Sequence, residues 1–338
     1  MSGSATRVPG WIVWAAFLLP VILLLVSLNI GSYHIPLRDV WTTISRGLSP
    51  AAGAAPSPYA DILFRIRLPR LLLALFAGAA LSVSGASLQS LFRNPLVFEF
   101  SLGISYGAAF GAALSLVFLG KGFPPQLAAF VFAVLAVLLV LVIAGKAASQ
   151  IVPILLSGVI VSALFQALLS LVEFFANPYA LQSLIFWLMG SLADAVWGDL
   201  AVTLPIIVLG IAILVLLRWR LNVLSLGDEE ARALGVNVKW EKVLVIAVAT
   251  LTTAAVTSVT GVINWIGLIV PHLVRMMVGP DNRKVIPLSA AFGASLLIVA
   301  DDIARSAASF EIPIGILTSV VGIPFFIVLL RRSGKAWL

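Results

Sequence analysis

The 338-residue chain contains no cysteine and few charged residues, 10% against about 25% in a typical soluble domain. Without cysteine, neither a disulfide framework nor a thiolate metal site can form. Hydrophobic residues make up 61% of the chain and the mean hydropathy is +1.14, which is more apolar surface than a soluble fold can bury. The apolar stretches are long and continuous, so the sequence predicts an all-α, polytopic membrane protein.

Apolar stretches separated by polar breaks predict about ten transmembrane helices in a single domain covering residues 1–338. They lie near residues 11–29, 71–91, 97–119, 126–145, 151–175, 201–218, 243–262, 263–278, 287–304 and 313–330. The first is longer than the apolar core of a signal peptide and no A-x-A pattern follows it, so we interpret it as a retained helix. Between Gly261 and Gly279 a re-entrant element is an alternative to a full span.

The distribution of basic residues predicts that both termini face the cytoplasm. With the N-terminus inside, 14 of the 21 Lys and Arg residues fall on the inner side, as the positive-inside rule expects. This asymmetry accounts for the net charge of +7 without nucleic-acid binding. Five of the seven outer basic residues precede the second span, among them Arg65, Arg67 and Arg70, and this local exception calls for a reason.

Two short strings recur along the chain and suggest an inverted repeat. Ser82 to Gly85 (SVSG) resembles Ser258 to Gly261 (SVTG), and the string AAFGA occurs at 108–112 and at 290–294. The seventh span follows the second at an offset of five, an odd number, so the two would cross the membrane in opposite directions, as in many transporters. The alternative is chance similarity among the small residues that membrane helix interfaces favour.

The most polar internal segment is the loop 221–242, on the predicted inner side. Ser225 followed by Asp228 resembles a capping box, acidic residues fill the next turn, and Gly235 is a typical helix stop. These signals predict a helix of about two to three turns. It could dock into a partner protein, or it could be a solvated connection.

The residues that could carry chemistry are sparse. Gly145-Lys146 lacks the upstream glycine of a P-loop, and His34 and His272 stand in no metal-ligand pattern, so we predict no catalytic residue, no metal site and no bound cofactor. Asp301 and Arg305 are spaced i, i+4 and are expected to pair on one helix face.

Several strings together resemble the FecCD-type permeases. These are RLPR at 67–70, RNPL at 93–96 followed by LGISYGAAFGA at 102–112, LSLGDEEARALG at 224–235, GLIVPHLVRMMVG at 267–279 and EIPIGILTSVVGIPFF at 311–326. They occur in order from about residue 60 to the C-terminus. That family comprises the membrane subunits of type II ABC importers for iron-siderophores, haem, cobalamin or molybdate.

The resemblance implies a set of partners. It implies a homodimer in the cell inner membrane, two cytoplasmic ATPase subunits that use ATP and Mg, and a periplasmic or lipid-anchored substrate-binding protein. It places ATPase coupling on the inner helix, at Leu226, Gly227, Glu230, Ala231 and Leu234. It places docking of the binding protein on the outer arginines Arg67, Arg70 and Arg305, which would explain the exception to the positive-inside rule.

The resemblance also locates gates and a pathway. The cytoplasmic gates fall at Asn94 and Leu96 and at Ile151 and Val152. The residues after the first gate, Val97 to Glu99, depart from the family pattern, which has a proline here and places its acidic residue one position earlier. A pathway lined by the fifth and tenth spans would include Ser157, Ser162, Gln166, Glu173 and Thr318.

The function expected from this resemblance is import of an iron chelate or cobalamin by ATP-driven alternating access. Import of molybdate by the same machinery is the alternative within the family. From other classes, a stand-alone secondary transporter would need a mid-membrane carboxylate for ion coupling, and a membrane-embedded transferase would need a cluster of acidic residues larger than Asp301-Asp302.

Overall fold

A computed structural model describes residues 10–31, 33, 35–48, 58–145, 150–308 and 310–333, so His34 lies outside the described residues. Within these ranges every regular element is a helix. The first half contains α1 (Gly10–Ser27), α2 (Leu37–Leu48), α3 (Leu68–Leu91), α4 (Ile104–Leu114), α5 (Pro125–Ala144) and α6 (Ile151–Phe175). The second half contains α7 (Pro178–Leu188), α8 (Trp197–Leu216), α9 (Arg218–Leu226), α10 (Asp228–Ala233), α11 (Val238–Thr260), α12 (Ile266–Val278), α13 (Asn282–Ser306) and α14 (Ile314–Ser333).

Each of the ten predicted spans coincides with a helix. Six of these helices are long and apolar enough to cross a membrane, and four shorter apolar helices (15–27, 104–119, 266–278 and 314–328) complete the set within the described ranges. Short π-helical turns extend α3 at its start, over Ile62–Arg67, and α4 at its end, over Ser115–Leu119. The all-helical membrane class is confirmed; the count of ten crossings stays a prediction.

Helix α3 forms the centre of the bundle and packs antiparallel against α13. Contacts pair Arg70 with Asp301 near one end and Ser90 with Asn282 at the other. Between them the backbones meet at Gly78 and Gly293, where a Cβ on Gly78 would overlap the carbonyl of Gly293. Glycine at this crossing therefore permits an approach that no side chain would allow. Following the predicted orientation, we call the Arg70 end outer and the Ser90 end inner.

The structure supports one of the two proposed repeats and corrects the other. Helix α11 starts at the inner end, where Lys242 bonds to Asp228, and α3 ends there, so SVSG and SVTG lie on oppositely directed helices. The two AAFGA strings lie on α4 and α13, which both run from the inner to the outer end. Their expected place in the inverted repeat is wrong, because an inverted pair must run in opposite directions.

A break in the helices separates α11 from α12. Residues 261–264 belong to no helix or strand, Gly261 has a φ of +66°, and Trp265 at the start of α12 has a φ of +73°. Helix α12 then runs beside the inner half of α3, from Gly267 against Gly85 to Arg275 against Ser90. Its 13 residues measure about 20 Å, less than the roughly 30 Å of a hydrocarbon core. Residues 261–278 thus run back toward the inner end, first without helix and then as the short helix α12.

Candidate functional site

Two charged clusters occupy opposite ends of α3. The outer cluster consists of Arg67, Arg70, Asp301, Asp302, Arg305 and Glu311. At its centre, the Arg70 Nε donates to Asp301 Oδ1 at 2.8 Å and its Nη1 donates to Glu311 Oε1 at 2.8 Å. The Asp301 side chain is fully buried, whereas that of Glu311 is 44% exposed. Arg70 thus ties α3 both to α13 and to the turn that leads into α14.

The other two arginines of the outer cluster bind the first helix. Arg305 pairs with Asp301 at 3.3 Å, as its i, i+4 spacing predicted, and with Asp302 at 2.5 Å. It also donates to the carbonyls of Ser27 and Ile30, and Arg67 donates to those of Leu28 and Tyr33. Three arginines and three acidic residues make the cluster formally neutral. The end of α1 is held against α3 and α13.

Docking of a binding protein on Arg67, Arg70 and Arg305 stays a prediction, but the structure buries all three guanidinium groups. The three residues are only 5%, 6% and 5% exposed, and each one donates hydrogen bonds within the chain. A pattern of outward arginines in sequence does not show which of them fold back onto acidic partners more than 200 residues away. Arg65, with its side chain 79% exposed, is the member of this segment that faces water.

A cavity lies at the outer end, beside the outer cluster. Its volume is about 510 Å³, and α7, the end of α11 and the turn before α14 enclose it. The polar residues of its wall are Ser183, Ser191, Asp194, Thr260 and Glu311. Backbone hydrogen bonds from the Ser191 N–H to the Thr260 carbonyl and from the Gly315 N–H to the Met189 carbonyl join the helix ends around it. Interrupted helices beside a cavity are typical of transporter binding sites.

The five predicted pathway residues lie elsewhere. Ser157 and Thr318 are buried, Ser162 donates to the carbonyl of Phe100, Gln166 is exposed and Glu173 is half-buried. None of them is among the residues that the structure places around the outer cavity. The cavity residues were missed because they come from loops and helix ends, where the sequence shows only small hydroxyl and acidic residues near glycine.

The predicted inner helix is present as α10, but it begins differently from the expectation. Ser225 belongs to the last turn of α9 and donates to the carbonyl of Asn222, so the predicted capping box is wrong. Gly227, with a φ of +148°, separates α9 from α10, and the Glu230 carboxylate fills the space that a Cβ there would need. The hydroxyl bonds locally instead of capping, a known alternative for serine.

The C-terminal end of α10 agrees with the prediction. Gly235 has a φ of +80°, its N–H donates to the carbonyl of Arg232, and the Val236 N–H donates to that of Ala231. These two bonds form a Schellman motif. Ala231 is completely buried, whereas Leu226 and Leu234 are 62% and 60% exposed. Ala231 anchors the short helix on the bundle, and an exposed leucine flanks it at each end.

The inner cluster consists of Arg93, Asp228 and Lys242. Asp228, the first residue of α10, accepts a hydrogen bond on Oδ2 from Lys242 Nζ at 2.7 Å. Its Oδ1 faces Arg93 Nη2 at 3.9 Å and is buried with no hydrogen-bond partner among the described residues. Nearby, Asp281 precedes α13; burial raises its pKa, but hydrogen bonds from Asn222 and Arg283 and the charges of Arg283 and Lys284 hold the pKa below its usual value.

The predicted gate residues surround this inner cluster. Asn94 follows Arg93 directly, and its side chain accepts from the Leu96 N–H at 3.0 Å, which holds the turn. Leu96 and Val152 are 49% and 71% exposed, and Ile151 is partly buried. Glu99, beyond the turn, is 3% exposed and its Oε1 has no partner among the described residues. No three described His, Asp or Glu side chains converge as metal ligands.

Comparisons with known proteins agree with this architecture. The model of the FecCD transport family matches residues 18–332. A probable iron chelatin transport system permease protein from Helicobacter pylori is 40% identical, with 80% of this chain and 83% of that protein covered. A hemin transport system permease protein from Yersinia pestis is 39% identical, with 94% of each chain covered. The molybdate import system permease protein of Haemophilus influenzae is 38% identical over 96% of this chain and 97% of its own.

A solved structure has the same fold. It is an inward-facing conformation of a metal-chelate type ABC transporter, and it superposes with a TM-score of 0.84 at 36% identity. The match covers 95% of this chain and 99% of the other.

Proposed function

The chain belongs to the FecCD transport family, and we propose that it is the permease subunit of a binding-protein-dependent ABC importer in the cell inner membrane. In this proposal two copies form a homodimer, each with about ten spans and both termini in the cytoplasm. Two separate ATPase subunits bind and hydrolyse ATP with Mg. This chain supplies the pathway and performs no covalent chemistry.

The observation that carries the proposal is the exposed surface of α10. A connecting helix in water gains nothing from exposed leucines, yet Leu226 and Leu234 lie bare on either side of Glu230. Exposed apolar residues with a charged neighbour are typical of a docking surface. Gly227 allows the tight entry into the helix, and Ala231 anchors it on the bundle. We propose that Leu226, Glu230 and Leu234 form the contact with the ATPase, and that Gly227 and Ala231 hold this surface in place.

We propose that substrate enters at the outer cavity and leaves through the inner gates. Helices α6 and α14 expose long apolar faces, including Leu156, Ile160 and Leu164 on α6 and Val320 and Val321 on α14. Such faces are suited to packing in an interface, or seam, between two copies of the chain, or to contact with lipid. In the homodimer, the predicted pathway residues would line the seam below the cavity, and the turns at Asn94 and Ile151 would close it on the inner side.

Docking of a substrate-binding protein on the outer cluster would require an exchange of partners. Arg70 can bind a carboxylate of another protein only if Asp301 or Glu311 gives up its hydrogen bond from the guanidinium group. Asp301 is fully buried, but Glu311 is 44% exposed and lies on a turn. We propose that docking replaces Glu311, while the exposed Arg65 contributes attraction from outside. Charges at such a rim act mainly on the association rate.

The substrate class we favour is an iron chelate or a cobalamin. Asp194 in the wall of the outer cavity places a carboxylate where an oxyanion would pass, and like charges repel in a confined site. Glu311 in the same wall is paired with Arg70 and adds no net charge. This observation disfavours molybdate, although the Haemophilus influenzae molybdate permease is among the relatives.

Reconstitution tests the proposal. The chain is co-expressed with its genomically neighbouring ATPase, placed in vesicles, and supplied with the neighbouring binding protein loaded with haem, a ferric hydroxamate, cobalamin or molybdate. We expect stable co-purification and ATP-dependent uptake of one chelate or of cobalamin. Uptake that needs an ion gradient but no ATPase would contradict the proposal and favour a secondary transporter. ATP-dependent uptake of molybdate alone would overturn only the substrate class.

A further inference from the structure

The inner cluster links the end of α3, α10 and the start of α11 at one carboxylate. One oxygen of Asp228 is fixed by Lys242, whose side chain is only 4% exposed. The other oxygen is buried without a hydrogen bond and faces Arg93 at 3.9 Å. A buried carboxylate oxygen without a hydrogen bond is costly, and a shift of about 1 Å would give it one. The contact is loose in this structure, and we call the hydrogen-bonded arrangement that such a shift would give the tight state.

Arg93 lies between α3 and the first predicted gate. Its φ is +50°, which is uncommon for a residue with a side chain and stores strain in the backbone. Asn94 and Leu96 follow in a turn closed by the Asn94 side chain. A pull on the guanidinium of Arg93 would therefore act on a strained backbone directly before the gate.

Lys242 lies beside the second predicted gate. It lines a narrow cleft together with Leu91 and Phe92 at the end of α3 and with Ile151 at the start of α6. One side chain thus bonds to α10 and borders the cleft in which the second gate begins. Because α10 is held as a unit by its Schellman motif, displacement of the helix would move Asp228 and both of its partners.

We propose that Asp228 is the positioning residue that transmits movement of α10 to the cytoplasmic gates, through Lys242 on one oxygen and Arg93 on the other. The inference rests on the proposed function, since the ATPase must supply the movement. The inference adds to the proposed function a residue that acts only through its neighbours, without contact with substrate or nucleotide. In the loose state the gate turn is free of α10, and in the tight state the turn follows it.

The test uses the absence of cysteine from this chain. In the complex with the ATPase, Leu96→Cys supplies the single thiol of the permease, and a maleimide reports its accessibility without any transported substrate. Labelling is compared with and without ATP and vanadate. We expect nucleotide to change the labelling rate about tenfold in the Leu96→Cys parent, within the range of ordinary coupling between sites. With Asp228→Asn added, the change should fall below about twofold.

Controls separate transmission from assembly. Lys239→Gln removes an exposed charge three residues before Lys242 and should leave the nucleotide response as in the parent. Asp228→Glu keeps the carboxylate and should restore part of it. Arg93→Gln should weaken the response, and its combination with Asp228→Asn should add nothing, because two changes in one contact are not additive. Arg93→Gln also serves if Asp228→Asn does not accumulate in the membrane.

Three results would contradict the assignment. An unchanged nucleotide response in Asp228→Asn and Arg93→Gln would overturn the relay while leaving the proposed function in place. Loss of ATPase binding in Asp228→Asn would make it a docking residue instead. If the parent fails to bind an ATPase or to respond to nucleotide, the proposed function falls and the relay falls with it.

Discussion

The two ends of α3 differ in how tightly their charged side chains are paired. At the outer end, Arg70 is 7% exposed, Asp301 is fully buried, and the two are joined by a 2.8 Å hydrogen bond. At the inner end, Arg93 is 39% exposed and stands 3.9 Å from Asp228 without a hydrogen bond. Breaking a buried pair strands a charge in the protein, whereas a loose exposed pair contributes little. The outer cluster is held together by buried pairs, whereas at the inner end the contact between Arg93 and Asp228 can rearrange at little cost while Lys242 holds Asp228.

This difference agrees with what each end would do in transport. The outer cluster joins α1, α3, α13 and the turn before α14. The inner cluster joins the helix we propose for the ATPase to the gate turn. A fixed outer frame with a movable inner contact would let movement at α10 reach the gates without disturbing the crossing of α3 and α13. Four substitutions test this comparison, from the largest expected effect on stability to the smallest.

Replacing Arg70 should have the largest effect. Arg70→Ala leaves Asp301 buried next to Arg305 alone and strands Glu311, so we expect a loss of about 3–5 kcal/mol in the free energy of unfolding. SDS titration in mixed micelles measures it. A loss below about 1 kcal/mol, the range of an exposed pair, would show that the outer cluster isn't the anchor we describe.

The crossing of α3 and α13 should come second. In Gly78→Ala the added methyl meets the Gly293 carbonyl, and overpacking of this kind costs about 1–3 kcal/mol. Gly198, in the first turn of α8, has open space around its Cβ position, so Gly198→Ala is the matched control and should be neutral or slightly stabilising. Equal effects of the two substitutions would contradict the close approach.

Glu311 should contribute less than its partner Asp301. Because its side chain is 44% exposed, Glu311→Gln should lower the free energy of unfolding by less than about 1 kcal/mol. The same SDS titration measures this, with Arg70→Ala as the reference. If Glu311→Gln is as damaging as Arg70→Ala, Glu311 cannot exchange with an incoming carboxylate, and the proposed docking step fails.

Arg93 should matter least for stability. Arg93→Gln removes a loose, partly exposed pair, and we expect a change of roughly 0–0.5 kcal/mol in SDS titration. A loss of several kcal/mol would mean that the inner cluster is as rigid as the outer one.

Much of the fold follows from sequence because span length and hydropathy are local properties. The ten apolar stretches all became helices, and Gly235 ended α10 as its conformation requires. The short helices α2 and α7 were not predicted, because α2 is not apolar and the 11 residues of α7 are too few to span a membrane. Asp301 and Arg305 were paired correctly because they share one helix face.

The candidate site was harder to predict because its contacts are distant in sequence. Arg70 is paired with Asp301 and Glu311, which lie more than 200 residues away in the sequence. The sequence therefore places Arg70 at the outer surface, whereas in the fold it is buried. Ser225 was misplaced because a serine that bonds to its own preceding turn has the same local sequence as a helix cap. The sequence does not show that Asp228 lies between Arg93 and Lys242, because Arg93 is far from it along the chain.

Distance measurements between spin labels test the central claim most directly. One pair, Ile66→Cys with Ile303→Cys, reports the outer end, and another, Leu96→Cys with Lys239→Cys, reports the inner end; all four sites are exposed. In the complex with the ATPase, diluted with unlabelled permease, ATP and vanadate should change the inner distance by several ångströms and leave the outer distance unchanged. An outer distance that moves while the inner one stays constant would contradict this account.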